Sequence, residues 1–156
     1  MNPKVRTCLA FKDQAEEAAR FYVSVIPDSV FEGAFRREPN GPALLVSFTL
    51  AGTPYQALNM GRETIHNEAF SISVTTKDQR ETDEIWEKLL AGGGVEIQCS
   101  WLKDRYGVCW QIVPEALPRM FMDDDRAAAE RAFQAMLGMV KIDIAAVEAA
   151  FRGAPD

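Results

Sequence analysis

Phe70-Ser71-Ile72-Ser73-Val74 alternates apolar and small polar side chains, the two-residue period of a strand with one face against a core. Asp78 and Glu81 follow three residues apart, the spacing at which carboxylates accept the orphan N–H groups of a helix's first turn. Thr82, Ile85, Trp86, Leu89 and Leu90 then form a helical stripe. Gly92-Gly93-Gly94 stops it, because glycine accepts the left-handed backbone at a helix end. The same order occurs earlier in the chain. Val5-Arg6-Thr7-Cys8-Leu9-Ala10-Phe11 reads as a strand with Val5, Thr7, Leu9 and Phe11 on one face. Asp13 and Glu16 repeat the cap, and Ala15, Ala18, Ala19, Tyr22 and Ile26 the stripe, which Pro27 ends.

Further strands are expected over 30–35, 43–50 and 54–59, separated by Glu38-Pro39-Asn40-Gly41-Pro42 and Ala51-Gly52-Thr53. In the second half they are expected over 95–101 and 108–113, joined through Asp104-Arg105-Tyr106-Gly107. Strand–helix–strands, twice, predicts an α+β chain of two structural repeats, residues 1–60 and 68–114, in one compact domain. Residues 115–156 read as two helices. Asp123-Asp124-Asp125 and Asp143 cap them, and Gly138 separates them. Their apolar stripes must cover either the chain's own sheet or a partner subunit.

The 156 residues are 47% hydrophobic and 26% charged, with a formal net charge of −6. These are the proportions of one globular domain and not of a disordered chain. The acidic balance argues against nucleic acid as partner. No apolar run approaches the ~20 residues of a membrane span, and residues 1–12 carry no signal-like apolar stretch. Cys8, Cys99 and Cys109 are odd in number and unpaired in spacing, which suggests reduced thiols and a cytoplasmic protein.

His66 is the only histidine, so no two-histidine metal site forms within one chain. The glycine run follows a helix instead of opening one, the wrong order for a phosphate loop. No metal and no cofactor is therefore expected. What remains is strand chemistry. Ser71 and Ser73 share one face. Gln111 shares a face with Cys109, and Asn59 with Tyr55 and Ala57. Such a face either meets water or lines a cavity for a small organic ligand held by a few hydrogen bonds. Trp101 is either an aromatic wall of that cavity or core.

Several stretches together carry a resemblance: Ala15-Glu16-Glu17-Ala18 with Phe21-Tyr22, Ile26-Pro27-Asp28-Ser29, Ala57-Leu58-Asn59, Asn67-Glu68-Ala69, Trp101-Leu102-Lys103-Asp104-Arg105-Tyr106-Gly107 and Trp110-Gln111-Ile112-Val113-Pro114. Ala135-Met136-Leu137, Met139 and Lys141-Ile142-Asp143-Ile144 extend it into the tail. The chain resembles the PhnB-like branch of the vicinal oxygen chelate (glyoxalase/bleomycin-resistance) superfamily, labelled 3-demethylubiquinone-9 3-methyltransferase domain. The resemblance implies tandem βαβββ modules forming an open, barrel-like sheet whose concave face holds the ligand. It places the four metal positions of metal-dependent members at Thr7, Ala57, Ala69 and Gln111, a set that implies no bound metal.

The resulting expectation is a metal-free binder of a small molecule. Its site residues are Thr7, Asn59, Ser71, Ser73, Trp101, Cys109 and Gln111. The alternative is an enzyme acting on a small aromatic or quinone-like substrate, the methyltransferase label included. Cys109 or Gln111 would then lie near the chemistry, with Glu68 as a base. A homodimer is expected from the tail's apolar stripes, and a third possibility has His66 of each subunit meeting at a metal across that interface.

Overall fold

The computed structural model describes residues 2–153. The chain divides into two compact units, one ending at Ile65 and the other starting at His66.

The first unit runs β1 (Thr7–Phe11), α1 (Ala15–Val25), β2 (Val30–Arg36), β3 (Ala43–Leu50) and β4 (Thr53–Asn59). Its sheet has the order β1-β4-β3-β2, with β1 parallel to β4 and the other pairs antiparallel. Parallel partners need a crossover, and α1 begins it. The buried stripe of α1 (Ala15, Ala18, Ala19, Tyr22, Val25) packs on the sheet. Leu9, Phe11, Val46, Phe48, Tyr55 and Ala57 form the buried face of the sheet. The Phe48 and Tyr55 rings, cross-strand partners, stack at 5.5 Å.

The second unit repeats the plan with β5 (Ile72–Thr76), α2 (Gln79–Leu90), β6 (Val95–Glu96), β7 (Trp101–Lys103) and β8 (Cys109–Pro114) in the order β5-β8-β7-β6. β5 and β8 are parallel. Ile72, Trp110 and Ile112 are buried on the side where α2 packs, with its Thr82, Ile85, Trp86 and Leu89. The tandem βαβββ architecture expected from the sequence is thus present, followed by helices.

Several local expectations hold for the reasons given. Asp78 accepts the Glu81 N–H at 2.8 Å, while Glu81 reaches back to the Lys77 N–H at 2.7 Å. Gly92 and Gly93 have φ of 84° and 116° just past α2. Asp104 is 3% exposed. One of its oxygens accepts the Tyr106 and Val108 N–H groups at 2.8 and 3.1 Å, and the other the Trp110 indole N–H at 2.9 Å. One carboxylate thereby closes the β7–β8 turn and anchors the largest fully buried side chain.

Others are corrected. Asp13 does not cap α1. The N-cap is Gln14, which makes no side-chain cap bond, and Asn59 Oδ1 from the end of β4 accepts the Ala15 N–H at 2.8 Å. A tertiary partner replaces the local one, and Glu16 is left to pair with Arg20 and Arg36. β1 and β5 begin later than the alternation suggests, leaving Val5 76% and Phe70 45% exposed. The strand expected over 95–101 is broken: β6 ends at Glu96, and Cys99 and Ser100 are left-handed before β7 begins.

Among the described residues the tail contains three helices, not two: α3 (Ala116–Phe121), α4 (Arg126–Leu137) and α5 (Ile144–Arg152). Asp125 and Asp143 cap the last two. Leu117, Met120, Ala132, Ile142 and Val147 form their common core, with Val113 of β8 packed against it. These stripes bury against one another and against the end of β8 in the second unit's sheet.

Two predictions follow from these contacts. Asp104→Ala removes the acceptor of three N–H donors, two of them in buried bonds, and should cost at least about 2 kcal/mol, read as a fall in the urea midpoint. Asp104→Asn should cost less, because its one amide oxygen still accepts.

The second concerns pH. The carboxyls of Glu16 (by Arg20, then Arg36), Glu32 (by Arg6, then Thr49) and Asp83 (by Lys141, then Gln79) are held below the usual carboxylate range. A depressed folded pKa contributes stability above the unfolded value and loses it as pH falls through the folded one. Glu16→Gln should therefore destabilise by about 1 kcal/mol or less at neutral pH, since the pair is solvent-screened. The gap to the parent should close as denaturation is repeated at pH values below the carboxylate range.

Candidate functional sites on the helix-free sheet faces

Directly paired residues share a sheet face. In the second unit Ser73 pairs with Gln111, Gln111 with Trp101, and Cys109 with Lys103. These side chains occupy the face opposite α2. Five residues expected from the sequence (Ser71, Ser73, Trp101, Cys109, Gln111) therefore fall on one surface, joined by Lys103. Gln111 Nε2 donates to Ser71 Oγ at 2.8 Å. Ser73 is exposed, and Ser71, Trp101 and Gln111 are half-buried. Lys103 Nζ lies 3.3 Å from Glu68 Oε1. Cys109 is 1% exposed. Burial pushes its thiol up, opposed by Lys103 and reinforced by Glu68 and Asp104. It stays a thiol at neutral pH and is a weak nucleophile.

In the first unit α1 covers the face on which Thr7 and Asn59 were expected to form a site. Thr7 pairs with Tyr55, and Leu9 with Ala57, on the α1 side. Asn59 is on that side too. Its amide is committed to backbone: Oδ1 to the Ala15 N–H, and Nδ2 donating to the Ala43 carbonyl at 2.9 Å. The opposite face carries the Cys8–Gln56 and Ser47–Gln56 pairs. It floors a cleft of about 660 Å3 that Lys4, Arg6, Glu32, Phe35 and Leu45 also line. Arg6 forks onto Glu32 at 3.2 and 2.6 Å and reaches the Tyr55 carbonyl at 3.1 Å, while Thr49 Oγ1 donates to Glu32. Sequence reasoning missed Arg6, Glu32, Ser47 and Gln56. The available signal was parity: with Leu9 and Phe11 in the core, Arg6 and Cys8 face the other way.

This register also corrects the metal positions carried over by resemblance. Ala57 is fully buried on the helix side, and Ala69 lies in a turn before β5, its N–H bonded to Asn67 Oδ1. The β1–β4 and β5–β8 pairs that face away from α1 and α2 are Cys8 with Gln56, Ala10 with Leu58, Ser73 with Gln111 and Thr75 with Val113. Divalent transition metals are held by imidazole, thiolate and carboxylate donors. Two amides, two hydroxyls and one thiol, pushed up by desolvation at Cys8, do not fit such an ion. Among the described residues, no group of three or more His, Cys, Asp and Glu is placed to hold one. His66 sits in the loop before β5.

The 3-demethylubiquinone-9 3-methyltransferase family model matches residues 3–113. No curated protein matches. Among solved structures, the PhnB protein from Bacillus cereus is 30% identical, with a TM-score of 0.61 over 72% of this chain and 99% of its own. A Pseudomonas aeruginosa protein has 17% identity and a TM-score of 0.57, covering 73% and 98% of the two chains. The fosfomycin resistance protein FosX from Mesorhizobium loti has 12% identity and a TM-score of 0.54, covering 72% and 91%. These last two share the fold. The chain belongs to the 3-demethylubiquinone-9 3-methyltransferase (PhnB-like) family.

Proposed function

We propose that this protein binds a small organic molecule without a metal, on the sheet faces turned away from the helices. The observation that carries the reading is the composition of the second unit's free face. Ser71, Ser73 and Gln111 present neutral hydrogen-bonding groups, and Trp101 a half-buried ring beside them. A few directional polar groups next to an aromatic wall suit an uncharged or weakly polar ligand, aromatic or quinone-like.

The family name favours a second reading, an enzyme acting on such a substrate. In that reading Cys109 and Glu68 are poor candidates for the chemistry. The thiol is buried and pushed toward its protonated form, and Glu68 is paired with Lys103. Gln111 would orient a substrate and not exchange protons with it.

Free Cys8, Cys99 and Cys109 suit the cytoplasm, and no helix among the described residues is long and apolar enough to cross a membrane. A homodimer belongs to the same reading, because Phe133 and Leu137 of α4 remain 39% and 40% exposed.

A thermal-shift screen against quinones, phenols and other small aromatics tests binding. A compound at about 100 times its Kd should stabilise the native state by roughly 2.7 kcal/mol. That raises Tm by roughly 5–10 °C for a chain of this size, and Gln111→Leu should remove most of the rise. No rise with any compound would count against the reading. Light scattering at micromolar concentration should give twice the chain mass, and a monomer mass would remove the dimer.

A further inference from the structure

The family match ends at residue 113. The Bacillus cereus relative is spanned almost completely by 72% of this chain. The helices from residue 116 onward lie beyond that match, and their contacts lead to one place. Between β6 and β7, Cys99 and Ser100 have φ of 59° and 74°, two consecutive L-residues in the backbone region that favours glycine. Partners hold them there on two sides. The Ser100 carbonyl accepts the Ile112 N–H at 2.9 Å, and Ser100 Oγ donates to the Ile112 carbonyl. On the other side, the Cys99 and Ser100 N–H groups donate to the carbonyls of Met139 and Val140, both at 2.9 Å. The next residue is Trp101.

The segment supplying those carbonyls is itself fastened. Gln79, in the first turn of α2, donates from Nε2 to the Ile142 carbonyl and accepts the Ile144 N–H on Oε1, both at 2.9 Å. Lys141 Nζ lies 2.8 Å from Asp83. Ile142 is 1% exposed, within the core of α3, α4 and α5. A continuous run of contacts thus links α2, the α4–α5 connection, the left-handed turn and Trp101.

We infer that the C-terminal extension is a clamp that holds the 99–100 turn in its left-handed form and so sets Trp101 on the face carrying Ser73 and Gln111. Gln79 and Lys141 are its positioning residues. The role of Trp101 in ligand contact rests on the reading proposed above; the clamp does not.

The test uses the full chain and two built-in probes. In a Cys8→Ser background, Cys99 is the half-buried thiol and Cys109 the buried one. Trp101 is half-buried, whereas Trp86 and Trp110 are 2% and 0% exposed. Gln79→Met with Lys141→Ala should speed alkylation of Cys99 by iodoacetamide about tenfold, as local opening becomes easier. Iodide quenching of tryptophan fluorescence should rise about twofold in the same variant. Lys141→Arg alone should retain parent values for both. If the double variant fails to fold, Lys141→Ala alone, at a solvent-accessible pair, should move both probes in the same direction.

A folded variant with parental alkylation and quenching overturns the clamp. If the probes move as expected but no compound shifts Tm, the clamp stands and the ligand reading fails. If a compound binds the parent and the loosened variant equally tightly, the clamp does not serve the site, and that part of the inference falls.

Discussion

Each unit depends on parallel pairing between its first and last strands: Leu9 against Ala57 in one, Val74 against Ile112 in the other. Parallel neighbours cannot be joined by a tight turn, so the chain must leave the sheet and return across it. The crossover begins as a helix, and the helix covers one face. The large apolar residues of every second strand position then go under α1 or α2. The remaining positions are freed from the core and become available for function. The same constraint that builds the core therefore also selects which residues form a site.

The two free faces use this freedom differently. In the second unit Gln111 is tied to Ser71, and a buried thiol lies in the same sheet. In the first, a guanidinium and a carboxylate neutralise one another beneath a cleft, with Thr49 also donating to Glu32. Arg6 and Glu32 form a bidentate pair, the geometry in which arginine binds carboxylate best. The Glu32 carboxylate is committed to Arg6 and Thr49, and among the described residues no three His, Cys, Asp or Glu side chains gather to hold a metal ion.

Much of the fold was legible from single residues. The Asp78, Asp125 and Asp143 caps, the glycines after α2 and the turn at Asp104 act over two to four residues, so their partners are close in sequence. Asp13 fails as a cap because Asn59, more than forty positions away, delivers its amide to the same helix end. The break at Cys99 and Ser100 was hidden for the same reason: no glycine marks it, and the groups that hold it come from the tail and from β8. On the second sheet the alternation of Ser71, Ser73 and Gln111 was sufficient to place a common face. On the first, Thr7 and Asn59 were assigned to the wrong side, because which face the helix covers is decided by pairing and packing.

The amino-acid order by itself determined the two strand–helix–strands repeats, the helical tail, and the scarcity of metal ligands, since periodicity, caps and composition are properties of neighbours and counts. Only the tertiary structure decided which strand faces stay free, that Arg6 and Glu32 meet, and that the tail fastens the turn before Trp101. Those outcomes depend on strand register and on hydrogen bonds between residues distant in sequence, and a shift of one residue would exchange the faces of a strand.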